Sequence, residues 1–337
     1  MSEQVRRFKI VGSGQYLPKE KVSSSELDRR LGLKEGSCFA SSGVENRYFA
    51  NVETERVTDM GAKAAMQALE SAGLRFEDLD AIVSTSGAPQ QVIPCTSALL
   101  QKAMGKLNSG IPSFDINATC LSFVTGIDTI SYMMDAGRYK RVMFVSAENS
   151  SCSLDPNDTH TMSLFGDGAV AVIAERSVSG EGSRIIASKM ETYAEGADQC
   201  RLRAGGSLIH SSKINDPAHA GDFVFQMEGR KVVRLALETL PPFVDRLLAE
   251  ANMKMSEIDL VIPHQASRTG MELIRRKLDL PEERWMDILV DHGNMISVSI
   301  PLALRAAITT GRIKRGSKVM LLGTSAGFSV GGVILEY

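Results

Sequence analysis

The sequence has no long hydrophobic run, few aromatic residues and almost no excess of charge of either sign. Aromatic side chains make up 6% of its 337 residues, tryptophan occurs once, and the formal net charge is −2. No run approaches the roughly 18 apolar residues that a membrane-spanning helix needs. The first residues, MSEQVRRFKIVGSG, also lack the apolar core of a secretory signal. With near-neutral charge we expect neither nucleic acid nor a membrane as partner, and we expect a cytoplasmic enzyme.

Cysteine is scarce and scattered, and no CxxC pair occurs. A disulfide framework and a zinc site are therefore not expected, and no metal is predicted. This leaves open whether any single thiol is reactive. The five candidates are Cys38, Cys95, Cys120, Cys152 and Cys200.

Strand-like and helix-like segments alternate along the chain. Residues Met60–Ala72 have helical composition and end at Gly73, a typical helix C-cap. The alternation predicts an α/β fold whose sheets are covered by helices. Short apolar runs typical of buried strands occur at Phe8–Val11, Ala81–Ser84, Arg141–Val145 and Ala169–Ala174.

An internal repeat suggests that the chain is a duplication. Asp80 matches Asp259, Gly137 matches Gly311 and Val142 matches Val319, with offsets of 179, 174 and 177 residues. Three matches in one order at a nearly constant offset favour two similar α/β halves about a pseudo-twofold axis. We place the halves at residues 1–176 and 223–337, joined by a polar connecting segment at 177–222.

Cys120 lies where a strand-like segment passes into a helix. Backbone N–H groups at a helix N-terminus favour a thiolate, so the position predicts a lowered thiol pKa. The alternative is a small buried hydrophobe, which is the usual role of a free cysteine. The helix is indicated by apolar residues at helical spacing: Phe123, Ile127, Ile130 and Met134.

The second half offers two partners for this thiol. Asn294 precedes Gly311 by the same seventeen residues that separate Cys120 from Gly137, so we predict that Asn294 is the duplicate of Cys120. His264 follows its strand as Thr85 follows the copy of that strand. A thiol, an imidazole and an amide in one pocket would suit acyl transfer. A structural histidine and a turn-forming asparagine are the alternatives.

Several segments resemble landmarks of the β-ketoacyl-acyl-carrier-protein synthase III enzymes, which belong to the thiolase-like condensing superfamily. They are DINATCLSFVTGID, FGDGAVAVI, VIPHQAS, DHGNMISVSIPLAL and LLGTSAGFSVGG, within a similarity that runs from Val11 to Gly332. The resemblance implies a duplicated thiolase fold, with five layers in the order α-β-α-β-α and βαβα halves, usually as a homodimer.

The resemblance also implies a mechanism. Cys120 would accept an acyl group from a thioester, and His264 with Asn294 would promote decarboxylation of a malonyl thioester. The backbone N–H groups of Cys120 and Ala326 would form an oxyanion hole. No cofactor is implied, because the substrates are coenzyme A or acyl-carrier-protein thioesters.

The sequence departs from the family near the expected substrate entrance. Ser37 and Ser41 stand where many members carry a tryptophan and an arginine that clamp the adenine of coenzyme A. Ile93 occupies a position that reaches into the partner's acyl pocket and is often phenylalanine. A glutamate there accompanies head-to-head condensation of two acyl chains. These differences put acetyl-coenzyme A priming in doubt and leave room for a longer or branched primer.

Two basic groups could receive an acidic acyl carrier protein. In the family such a surface lies near the tunnel mouth, and Arg268 stands one position earlier than the corresponding arginine of common members. A solvated helix face is the alternative for both groups. The first comprises Arg268, Arg275, Arg276 and Lys277, and the second comprises Arg230, Lys231 and Arg234.

Other polar residues are expected to be structural. Asp167 stands between glycines and is expected to form a turn. Cys95 and Cys152 are expected to be packing residues. Four histidines without a motif partner are expected at the surface: His160, His210, His219 and His292.

The leading hypothesis is a decarboxylative condensing enzyme of fatty-acid or specialised-metabolite synthesis that uses malonyl-acyl-carrier protein. An acyltransferase or head-to-head condensing enzyme would instead pass the acyl group from Cys120 to a non-malonyl acceptor. A non-catalytic subunit of a heterodimer is less consistent with an intact Cys120, His264 and Asn294.

Overall fold

The computed structural model describes residues 6–337 as a mixed α/β fold. The strands are β1 (Arg6–Arg7), β2 (Lys9–Tyr16), β3 (Glu20–Ser23), β4 (Asn46–Phe49), β5 (Ala81–Ser84), β6 (Ser113–Asp115), β7 (Arg141–Glu148), β8 (Gly168–Glu175), β9 (Arg184–Thr192), β10 (Cys200–Arg201), β11 (Gln226–Met227), β12 (Leu260–Pro263), β13 (Lys318–Ser325) and β14 (Ser329–Glu336). The α-helices are α1 (Ser24–Leu31), α2 (Ser37–Ser42), α3 (Val57–Ala72), α4 (Thr96–Ala103), α5 (Ser122–Asp135), α6 (Thr159–Leu164), α7 (Gly229–Glu250), α8 (Arg268–Lys277), α9 (Leu289–His292) and α10 (Ser299–Thr309).

Four strands of each five-stranded sheet share one topology. The first has the order β2-β8-β7-β5-β6 and the second has the order β1-β9-β14-β13-β12. In the first sheet β2, β8 and β7 are antiparallel neighbours and β7 is parallel to β5. In the second, β9, β14 and β13 are antiparallel neighbours and β13 is parallel to β12. The repeat seen in the sequence is thus a repeat of fold.

Helices cover both faces of each sheet and give five layers. Helices α5 and α10 lie between the sheets in one apolar cluster. Helix α3 covers the outer face of the first sheet, and α7 and α8 cover that of the second. Successive residues of β7 point to opposite layers, since Phe144 packs in the central cluster and Val145 packs against α3. Burial on both faces explains why these strands are continuous apolar runs.

Local signals placed several elements correctly. The predicted helix at Met60–Ala72 is α3, and Gly73 ends it in the left-handed conformation with φ of 63°. The predicted strand at Ala81–Ser84 is β5. The apolar face predicted for the helix after Cys120 is buried in the central cluster. Within residues 6–337, no helix has the length and apolar character needed to cross a bilayer.

The predicted connecting segment contains part of the second sheet. Strand β9, at Arg184–Thr192, pairs with β14 over its length. Strand β9 lies near the edge of the sheet, where its outer neighbour is the two-residue β1. The alternation of apolar and polar residues in β9 is too weak to identify it as a strand from the sequence. Strand β1, at Arg6–Arg7, also belongs to the second sheet, because it pairs with β9. The boundary at residue 223 therefore lies too late in the chain.

The register of the duplication differs from the prediction at the most important position. Thr119 and Ile296 share a left-handed backbone with φ of 50°, and each begins a short 3₁₀ turn before α5 or α10. Cys120 therefore corresponds to Ser297, and Asn294 corresponds to Asn117. Counting back from the glycine caps misplaced this register by three residues, because α10 has 11 residues and α5 has 14.

Candidate active site

Cys120 is presented by a sharp turn between β6 and α5. It lies in the 3₁₀ turn Thr119–Leu121, directly before α5. The left-handed backbone of Thr119 is unusual for a β-branched residue. Two hydrogen bonds hold the turn: the N–H of Thr119 donates to Asn117 Oδ1 (2.8 Å), and the N–H of Ala118 donates to Ser122 Oγ (2.9 Å). The predicted strand-to-helix setting of Cys120 is confirmed.

His264 follows β12 and is fixed from both sides. Its N–H donates to the carbonyl of Leu322 at 2.8 Å. Gly323 makes room for it, since a Cβ at that position would lie 2.8 Å from His264 Cβ. The next residue, Gln265, is fully buried, donates to the carbonyls of Pro263 (2.9 Å) and Met286 (3.1 Å), and locks this turn. Sequence reasoning did not assign a role to Gln265, although it belongs to the HQA motif.

Asn294 is attached to the first half of the chain through its backbone. Its N–H donates to the carbonyl of Leu164 (2.9 Å), and its carbonyl accepts from the N–H of Gly166 (3.0 Å). The side-chain Oδ1 accepts from the N–H of Ile296 at 2.9 Å, and Nδ2 donates to the carbonyl of Ala266 at 3.2 Å. An amide N–H₂ carries two protons, so one donor of Asn294 stays available to a ligand.

These three side chains line one cavity of about 1380 Å³. His264 and Asn294 are buried, and Cys120 is partly exposed to the cavity. Cys200 and Cys152 line the same cavity, together with apolar residues such as Phe225 and Leu240. A cavity with apolar walls and a few convergent polar groups suits a thioester carrying an acyl chain.

The thiol of Cys120 is protonated at neutral pH, contrary to the expectation of a lowered pKa. Burial raises the pKa of Cys120 to about 12, and the nearby Cys200 and Glu148 add to the rise. The backbone N–H groups of Ala326 and of Cys120 itself act in the opposite direction. Desolvation of the charged form outweighs the helix N-terminus at this depth.

The imidazole of His264 is neutral at the same pH. Burial lowers the pKa of His264 to about 4. No residue within 6–337 forms a hydrogen bond to its Nδ1 atom. A neutral imidazole carries one proton, and in the tautomer with that proton on Nε2 the ring can donate to a substrate oxygen.

Two backbone N–H groups meet near the thiol sulfur. They belong to Cys120 and to Ala326, which follows β13. Both are the donors that the sequence resemblance implied for an oxyanion hole. Donors fixed in this way can stabilise negative charge on a tetrahedral intermediate without reorganising.

Ser41 and Arg268 line the cavity, and each contacts another side chain. Ser41 Oγ lies 3.1 Å from His160 Nδ1, and both residues line the cavity. The guanidinium of Arg268 stacks over the ring of Phe39 at 5.8 Å. An aromatic face and a cation thus come together beside the cavity, although neither stands at the position where the sequence pattern placed one.

The arginines of the two basic groups differ in side-chain exposure, in pairing with carboxylates and in whether they line the cavity. The Arg275 side chain is 12% exposed, donates to the carbonyl of Leu280 and pairs with Glu272 and Glu282. Because the Arg275 side chain is buried and paired, we do not expect it to contact a carrier protein. Arg276 pairs with Glu272 but remains 73% exposed. Arg268 and Arg230 line the cavity itself.

Ile93 lies outside the cavity of its own chain. It is 81% exposed and follows the exposed Val92 in the segment before α4. Cys95, two residues later, is exposed as well, as is Cys152, so the expectation that these two are packing residues is wrong. The neighbours of Cys95 and Cys152 in the sequence do not distinguish an exposed cysteine from a buried one.

The remaining candidates are largely structural. Asp167 is buried and accepts hydrogen bonds from the N–H groups of Ala50 (2.8 Å) and Ser151 (2.9 Å). His160 and His210 are exposed, as expected. His219 and His292 are partly buried, which differs from the prediction, because His219 pairs with Asp222 and His292 packs beside Tyr48.

A duplicated fold that brings a cysteine, a histidine and an asparagine to one apolar cavity defines a condensing acyltransferase of the thiolase class. A sequence profile for 3-oxoacyl-[acyl-carrier-protein] synthase III matches residues 114–194, and the profile for the C-terminal part of that enzyme matches residues 248–337. The chain belongs to the 3-oxoacyl-[acyl-carrier-protein] synthase III family.

Individual relatives agree with this assignment. A β-ketoacyl-[acyl-carrier-protein] synthase III of Neisseria meningitidis is 33% identical over 329 residues, which cover 98% of this chain and 99% of that protein. The crystal structure of the synthase III of Aquifex aeolicus matches with a TM-score of 0.87 at 30% identity, over 98% of this chain and all of that one. The corresponding structure from Pseudomonas aeruginosa matches with a TM-score of 0.87 at 28% identity, over 98% of each chain.

Proposed function

We propose that the protein moves an acyl group from a thioester onto Cys120 and condenses it with a malonyl thioester, with malonyl-acyl-carrier protein as the extender. The observation that carries this proposal is the meeting of Cys120, His264 and Asn294 in one cavity. The pathway served is fatty-acid or specialised-metabolite synthesis.

In the first step the thiol of Cys120 attacks the carbonyl carbon of the donor thioester. The carbonyl oxygen becomes negative and accepts from the N–H groups of Cys120 and Ala326. The old carbon–sulfur bond then breaks, and the proton of Cys120 passes to the leaving thiol. Because the pKa of Cys120 is raised to about 12, we propose that proton loss accompanies attack and that no stable thiolate precedes it.

In the second step the malonyl thioester loses CO₂. The electrons of the broken carbon–carbon bond move to the thioester carbonyl and form an enolate. Its oxygen accepts from His264 Nε2–H and from the free N–H of Asn294, and each such donor is typically worth about 3–4 kcal/mol in the transition state. The enolate carbon attacks the acyl carbonyl carbon, the carbon–sulfur bond to Cys120 breaks, and a β-ketoacyl thioester forms. The departing thiolate of Cys120 takes up a proton from water and becomes the thiol again.

An acyl carrier protein is the proposed macromolecular partner. Arg276 is exposed on α8, and Arg268 lies at the start of the same helix beside the cavity. Positive charge at the entrance would attract an acidic carrier and direct its arm inward. Arg230 lines the same cavity from α7 and belongs to the same proposed surface.

A homodimer is proposed from the edge of the first sheet. Strand β6 ends that sheet, and an unpaired strand edge can join that of a second copy. The segment bearing Ile93 is tied to this edge, because Asp115 accepts from the N–H groups of Thr96 (2.8 Å) and Ser97 (2.9 Å). Pairing at β6 would place Ile93 against the partner, where the exposed Val92 and Ile93 would be covered.

We propose the cytoplasm as location. The five cysteines of the chain are all free thiols in the structure, which is the state that a reducing compartment maintains.

Intact-protein mass spectrometry tests the first step. The protein is incubated with a panel of acyl-coenzyme A and acyl-carrier thioesters, and the mass added to wild type but not to Cys120→Ala identifies the primer. Release of labelled CO₂ from malonyl-acyl-carrier protein tests the second step. An acylated enzyme that releases no CO₂ but labels an added alcohol, amine or second acyl chain would support the alternative acceptor instead.

A further inference from the structure

A buried carboxylate that neither proposed step uses lies beneath the active site. Glu148 ends β7 and is fully buried. It accepts hydrogen bonds from the N–H groups of Gly87 and Ala88, the latter at 3.2 Å, and from the hydroxyl of Ser297. A buried carboxylate is costly unless its oxygens are bonded in this way, and burial raises the pKa of Glu148 to about 7.

Gly87 connects this carboxylate to the turn that carries Cys120. The carbonyl of Gly87 accepts from Asn117 Nδ2 at 2.9 Å. Asn117 Oδ1 in turn accepts from the N–H of Thr119, the residue before Cys120. Gly87 is also closely packed against both turns, because a Cβ there would lie 2.9 Å from Ile296 Cγ2 and 3.2 Å from the carbonyl carbon of Thr119.

Ser297 connects the same carboxylate to the turn that carries Asn294. It is the counterpart of Cys120 in the second half, and it directly follows Ile296, whose N–H donates to Asn294 Oδ1. Its hydroxyl also lies 3.2 Å from the N–H of Gly87. Glu148 is therefore bonded to a residue of the second turn and to the loop that holds the first.

We propose that Glu148 is a positioning residue that sets the two active-site turns relative to each other. It fixes the oxyanion donor of Cys120 on one side and the amide of Asn294 on the other, and it touches no reacting atom. The inference rests on the proposed function, because it assumes that both half-reactions occur at these turns.

The test is Glu148→Gln, measured in each half-reaction separately. The glutamine N–H₂ would face N–H donors of Gly87 or Ala88, so the loop would shift. We expect the rate constants of both acylation and decarboxylation to fall by roughly tenfold to a hundredfold, as for loss of a buried hydrogen bond to a charged group. The KM values should change less than the rate constants, because Glu148 itself does not line the cavity.

Glu55→Gln is the matched control. Glu55 is also buried, at 3% exposure, and also accepts from one hydroxyl and two N–H groups, those of Tyr16 (2.6 Å), Lys19 (3.1 Å) and Asn51 (3.2 Å). It does not line the cavity. Its variant should keep both rate constants near wild type.

Wild-type rates in Glu148→Gln, or an equal loss in Glu55→Gln, would overturn the inference. If Glu148→Gln does not fold, Ser297→Ala removes a single donor and should slow decarboxylation more than acylation, and unchanged decarboxylation would overturn it equally. A wild-type protein that performs neither half-reaction would refute the proposed function itself, so the two failures are distinguishable.

Discussion

Asn117 and Asn294 occupy the same place in the two halves, and only one of them faces the cavity as a candidate donor. In each, Oδ1 accepts from the N–H two residues later, at 2.8 Å to Thr119 and 2.9 Å to Ile296. The Nδ2 of Asn117 is bonded to the carbonyl of Gly87 at 2.9 Å, whereas Asn294 lines the cavity. The duplication supplied one turn geometry, which each half uses for a different task.

Cys120→Ala, His264→Ala and Asn294→Ala should separate the two steps. We expect Cys120→Ala to abolish acylation, because it removes the thiol that lies beside the N–H groups of Cys120 and Ala326. The other two variants should be acylated but should lose decarboxylation by about 10²–10³-fold, the usual effect of removing an oxyanion donor. Single-turnover acylation with a labelled donor, followed by CO₂ release, measures both. Acylation of Cys120→Ala at the wild-type rate would contradict the assignment.

His264 should make the protein less stable as the pH falls. The unfolded chain protonates this imidazole near its ordinary pKa of 6.5, whereas the folded chain does so only at about 4. The unfolded state therefore binds more protons between these values, and stability is lost as pH decreases through that window. By pH 5 the loss should be about 2 kcal/mol. Urea unfolding of wild type and His264→Ala at pH 7.5 and pH 5 measures it, and a stability difference between them that does not change with pH would contradict the prediction.

Glu148 should make the protein less stable as the pH rises, which is the opposite of the effect of His264. Its folded pKa is raised to about 7 from 4.5, so the folded state binds more protons between these values and stability is lost as pH rises through them. Glu148→Gln removes this dependence. As the pH rises from 4 to 8, the free energy of unfolding of the variant should increase by roughly 3 kcal/mol relative to that of wild type, although the activity of the variant is lower. Denaturant unfolding across this range is the measurement, and parallel pH curves for the two proteins would disprove it.

Ile93→Phe should shorten the range of accepted primers. If Ile93 enters the partner's acyl pocket, the larger ring would fill space needed by longer or branched chains. Transfer of octanoyl or longer groups should fall, and transfer of shorter groups should persist. Ile214→Phe changes another exposed isoleucine, which does not line the cavity, and serves as control. Equal primer profiles for wild type and Ile93→Phe, or a monomer by sedimentation, would rule out this placement.

Arg276→Glu should weaken the use of carrier-linked substrates. Reversing an exposed charge on α8 should raise the KM for malonyl-acyl-carrier protein, with a salt-dependent effect, and leave the KM for a coenzyme A thioester nearly unchanged. Arg75→Glu is a matched control, because Arg75 is 79% exposed and paired with Asp78 as Arg276 is with Glu272. A KM that does not respond to Arg276→Glu would remove this helix from the docking surface.

Local patterns were enough for much of the fold. The buried strand at Ala81–Ser84 and the helix ending at Gly73 follow from periodicity and a glycine cap, which act within a few residues of the chain. The position of Cys120 before a helix followed in the same way. Strand β9 was missed because it lies near the edge of its sheet, where alternation is weak and pairing with the distant β14 decides the structure.

The sequence by itself determined that a cysteine, a histidine and an asparagine stand at the ends of repeated elements, and the family resemblance gave them roles. Only the tertiary structure decided that Asn294 matches Asn117, because the two helices differ in length. It also decided the protonation of Cys120 and His264, since their pKa values depend on burial by residues far away in the chain. Glu148 gave no local signal, because Gly87 and Ser297, which it joins, are 210 residues apart.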